Sequence, residues 1–75
     1  MNKIRRREIS RAIALMDQAR EILESVRDEE QEAFDNMPES IQSSERGETM
    51  EDYIYTLEDA LSNLETDALQ DIVDS

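Results

Sequence analysis

Cysteine, histidine and tryptophan are absent from this 75-residue sequence, and glycine and proline occur once each, as Gly47 and Pro38. Without cysteine there is no disulfide, and without cysteine or histidine there is no zinc site, no Glu-x-x-His di-metal helix and none of the usual nucleophile and base pairs. No catalytic residue, metal ligand or cofactor site is therefore expected, and carboxylates are the only candidate metal ligands left. The acidic clusters Asp28, Glu29, Glu30, Glu32 and Glu51, Asp52 do not alternate along a loop as calcium ligands do. They read as solvated helix faces. Basic residues are also scarce, 8 against 20 acidic ones, for a net charge of −12. No apolar run approaches the ~20 residues that span a bilayer, and no signal-peptide core follows the basic start. A cytoplasmic protein with no membrane contact is the expectation.

What is present is helical periodicity. From Ile4 to Phe34 nothing interrupts a run of good helix formers. Ile9, Met16 and Leu23 fall seven apart, with Ala12, Ala19, Val26 and Ala33 as a second row assigned to the same face. Pro38 ends this first helix, because it lacks a donor and disfavours helical geometry in the residue before it. A turn over Glu39 to Gln42 would lay Met37 and Ile41 across the bundle end, and Ser43 or Ser44 can cap the next helix. The second helix starts near Ser44, with Glu45 and Glu48 in its first turn, or near Thr49, because Gly47 is out of place in a helix interior. Met50, Ile54, Leu57, Leu61, Leu64, Ala68 and Ile72 then step by three or four to about Val73.

The predicted fold is all-α, one domain over residues 1–75, with helix one at about 3–35, a loop at about 36–43 and helix two at about 44–73. Two long antiparallel helices form a hairpin, and each apolar face keeps an open side. Copies should therefore pair into a homodimeric four-helix bundle, or a higher oligomer, through Ile9, Ala12, Met16, Ala19, Leu23 and Val26 on one helix and Leu57, Leu61, Leu64, Ala68 and Ile72 on the other. A chain this short otherwise has difficulty enclosing a core.

Charge divides the chain. Lys3, Arg5, Arg6, Arg7 and Arg11 against Glu8 leave the first eleven residues at +4, so the remainder carries −16. Basic residues at a helix N-terminus oppose the macrodipole, and Asp67, Asp71 and Asp74 at the end of helix two are the expected compensation. Alternatively Arg5, Arg6, Arg7, Arg11 and Arg46 form a phosphate-ligand site at a subunit interface, sequestering a small nucleotide. Glu30 interrupts the apolar row and is expected at its rim, with Arg46 as its neighbour. Direct nucleic-acid binding is not expected of so negative a surface. Carboxylates on rigid helices can instead imitate a duplex backbone and occupy a basic channel in another protein. Asp28, Glu29, Glu32, Glu51 and Asp52 are the candidate acidic partner surface, with Tyr55 as an exposed anchor.

Two segments carry a resemblance: Arg27-Asp28-Glu29-Glu30-Gln31-Glu32-Ala33-Phe34-Asp35-Asn36-Met37-Pro38-Glu39 and Ser44-Glu45-Arg46-Gly47-Glu48. Through them the chain resembles a recurring type of small acidic protein encoded by bacteriophages and prophages, in which two amphipathic helices flank a short proline-containing loop. The resemblance implies an accessory factor that blunts host defence, by inhibiting a host protein or by holding a signal molecule. A purely structural oligomerisation module is the third reading.

Overall fold

In the computed structural model, which describes residues 1–75, the chain is all-helical with no strand, about 85% of it in helices. Four helices follow one another: α1 over Lys3–Asp35, α2 over Glu39–Gln42, α3 over Glu45–Asn63 and α4 over Asp67–Asp74. Both α3 and α4 pack against α1, and α2 packs against α3. The result is a rod of 58 × 14 × 13 Å.

Local chemistry accounts for the boundaries. Asn2 caps α1, its side-chain oxygen accepting the Arg5 backbone N–H at 2.8 Å. At the other end the Asn36 and Met37 amides close on Glu32 and Phe34, just before Pro38. Ser44 caps α3. Its hydroxyl accepts the Gly47 N–H at 3.5 Å and donates to the Ile41 carbonyl. Of the two starts open to helix two on sequence grounds, Ser44 is the one adopted, with Glu45 and Glu48 in the first turn.

Gly47 sits inside α3, and no glycine in the chain has positive φ, so backbone freedom is not its role. Space is. A Cβ at Gly47 would lie 2.6 Å from the Ile41 carbonyl oxygen and nearer still to that of Gln42, so only glycine lets α2 lie this close on the start of α3.

Helix two is not continuous to Val73 as expected. It breaks at Leu64, Glu65 and Thr66, and α4 follows without a side-chain cap. Ser62, Asn63, Thr66 and Asp67 surround the break, and such side chains compete for backbone hydrogen bonds. Ser62 already donates to the Glu58 carbonyl at 3.1 Å.

The core is thin. Ile13 and Ile54, 8% and 4% exposed, are the only buried apolar side chains. Ile9, Met16 and Leu23 of α1 are half-buried, as expected for an inward seam. The alanine row is a correction, because Ala19 is half-buried while Ala12, Val26 and Ala33 are exposed. The inward column beside the seam is instead Arg6, Ile13, Arg20, Arg27 and Phe34, spaced by seven. Its arginines are half-buried, and their aliphatic stems can cover apolar surface while the charge stays near water.

Candidate functional site

Two surfaces stand out along the rod. The first is acidic. Glu51, Tyr55 and Glu58 of α3 line a shallow groove against Gln31 and Phe34 of α1, floored by Ile54. The helical spacing of four and three places these α3 side chains along one face. Tyr55 is exposed and presents a phenol flanked by two carboxylates, while Glu51 is half-buried. Asp28, Glu29, Glu32 and Asp52 are exposed, and Asp28 accepts the Arg27 guanidinium at 3.0 Å. Among the proposed acidic surface residues, only Glu51 and Tyr55 share this groove. Glu58, seven residues after Glu51 on the same face, is the third α3 side chain of the groove, and sequence spacing alone does not single it out. No three Asp or Glu side chains converge as metal ligands would.

The second surface is apolar and faces outward. Ile4, Leu15, Ile22 and Val26 are exposed along α1. Val26 also meets Tyr53 and Leu57 of α3 in a hollow edged by Glu30 and Thr56, so the apolar surface crosses from one helix to the other. Of the residues expected at an oligomer interface, Ala12, Val26 and Ala68 are free. Ile9, Met16, Ala19, Leu23, Leu57, Leu61, Leu64 and Ile72 are half-buried within the chain. Periodicity assigns the apolar residues of α1 to one broad face; packing against α3 and α4 separates those that are covered from those left exposed.

The basic end corrects a further expectation. The chain forms two ion pairs, Arg11 with Glu8 at 2.8 Å and Arg27 with Asp28 at 3.0 Å, both within α1. None joins Arg5, Arg6, Arg7 or Arg11 to Asp67, Asp71 or Asp74, and none joins Arg46 to Glu30. Exposed pairs between long side chains gain little over hydration, which explains why packing of α4 on α1 does not create them. Glu30 is half-buried at the rim of the apolar hollow. The Nε atoms of Arg6 and Arg20 are covered without a hydrogen-bond partner.

No helix is long and apolar enough to cross a membrane. Comparison with protein-family models, curated proteins and solved structures gives no match for this chain.

Proposed function

We propose that this chain is a non-enzymatic acidic binding protein, an antiparallel helical hairpin pairing into a four-helix bundle, that blocks a basic surface of another protein. In the phage-type setting suggested by the resemblance, the target is a host protein of the defence class. The observation that carries this reading is that only Glu8 and Asp28, of twenty acidic side chains, have an ion-pair partner in the chain. A helical scaffold thus holds carboxylates without ion-pair partners, the electrostatic complement of a nucleic-acid channel.

Capture from host lysate at low salt, compared with a Glu51→Gln, Asp52→Asn, Glu58→Gln variant, tests it. The wild type is expected to retain a basic protein that the variant loses and that duplex DNA displaces. Equal capture by both proteins, or retention unaffected by DNA, overturns the reading.

One observation favours a second reading, a sponge for a small phosphate-bearing signal. Arg5, Arg7 and Arg46 are exposed without an intrachain carboxylate partner, and guanidinium forks suit phosphate. Calorimetry against cyclic and linear nucleotides is expected to show micromolar uptake under this reading. Uniform silence removes it.

A further inference from the structure

Ile4, Leu15 and Ile22 on the outward face of α1 are left exposed by the chain, and three observations point to what covers them. The first is area. A folded monomer of 8.7 kDa is expected to expose about 4,700 Å², from surface scaling with mass, whereas this chain exposes 5736 Å². The excess over the whole rod, about 1,000 Å², is of the order of the roughly 800 Å² that each partner buries in a standard interface.

The second is charge. Lys3, Arg5, Arg6, Arg7 and Arg11 against Glu8 give the start of α1 +4, while Asp28, Glu29, Glu30, Glu32 and Asp35 against Arg27 give its end −4. A parallel copy would set like charge beside like charge; an antiparallel copy sets each segment against its opposite.

The third is the helix dipole. α1 has no acidic residue in its first turn and no basic residue in its last, the reverse of what the macrodipole favours. Within the chain α4 packs on α1, but no ion pair joins either end of α1 to another helix. A second copy laid antiparallel brings carboxylates to the positive end and guanidinium groups to the negative end of both helices at once.

We infer that two copies of this chain pair antiparallel through the outward face of α1, with Leu15 of each copy against Ile22 of the other and the basic start of each helix along the acidic end of its mate. The contact is two-fold, so each pair occurs twice. It deepens the bundle proposed above by fixing its face and direction, and it does not depend on a host target. It also consumes the basic end, leaving α3 and α4 to present nearly unrelieved negative charge.

The experiment uses the full chain alone, so its failure is distinct from failure of host-protein capture. Light scattering with size exclusion at micromolar concentration is expected to give twice the chain mass. Ile22→Asp places a charge at a position 65% exposed in the single chain. It should weaken pairing at least about a hundredfold while helical circular dichroism persists, because two buried isoleucines are lost per dimer. Direction is read by oxidation of single-cysteine proteins, since none is native. In a mixture of Ile4→Cys and Ala33→Cys chains, disulfides should join the two types. Disulfides only within each type, or a monomeric wild type, overturn the inference. If Ile22→Asp fails to fold, a double charge reversal, Arg5→Glu with Arg7→Glu, serves instead and should weaken pairing at least about tenfold; undiminished pairing overturns it.

Discussion

Gly47 lies directly against the Gln42 carbonyl, close enough that its missing side chain is what allows α2 to fold onto α3. In an open helix, Gly to Ala gains about 1 kcal/mol of helix propensity. Here the added methyl must displace backbone. Gly47→Ala is expected to destabilise the chain by about 2 kcal/mol or more, the sign opposite to the propensity gain, as measured by urea denaturation at fixed protein concentration.

Gln42 also holds the connection from the other side, its amide donating to the Phe34 carbonyl at 2.9 Å. That carbonyl belongs to the last turn of α1, where acceptors lack helical partners. Gln42→Ala should cost about 1 kcal/mol and speed amide exchange in α2, read by hydrogen exchange with mass spectrometry.

Ile54 is the most buried apolar side chain, facing a core with few others. Ile54→Ala should cost about 2 to 5 kcal/mol through lost transfer energy and the cavity left behind. With so thin a core, the folded baseline in thermal melts followed by circular dichroism is expected to be lost or strongly shortened.

The α3 to α4 break arises from local side-chain competition, so replacing its residues should mend it. Asn63→Ala with Thr66→Ala is expected to raise helical ellipticity at 222 nm and to protect amides at Leu64 to Thr66 from exchange. In the unmodified chain, α4, eight residues long with no side-chain cap bond, should exchange fastest of the three longer helices.

Much of the fold was legible because the signals are local. Uninterrupted helix formers from Ile4 to Phe34, the stop at Pro38 and the Ser44 cap each depend on neighbours a few residues away. The break near Leu64 was not read from the sequence, because the apolar step of three and four runs through it without interruption. Gly47 was noticeable as an anomaly without its cause, since the carbonyls it faces belong to another helix. The candidate acidic groove was found in part. Glu51 and Tyr55 were singled out, while Glu58 joins them only because α1 supplies the opposite wall.

From the sequence alone came an all-helical chain, a basic start, an acidic remainder and the absence of side chains for thiol, imidazole or zinc chemistry. Composition and short-range periodicity settle these without reference to any neighbour. Tertiary structure decided which apolar residues of α1 are covered and which stay exposed, that arginines share the inward face, and that the basic end has no ion pair with α4. A helix defines its faces by its own geometry. Which face is covered depends on the shape and position of what packs against it.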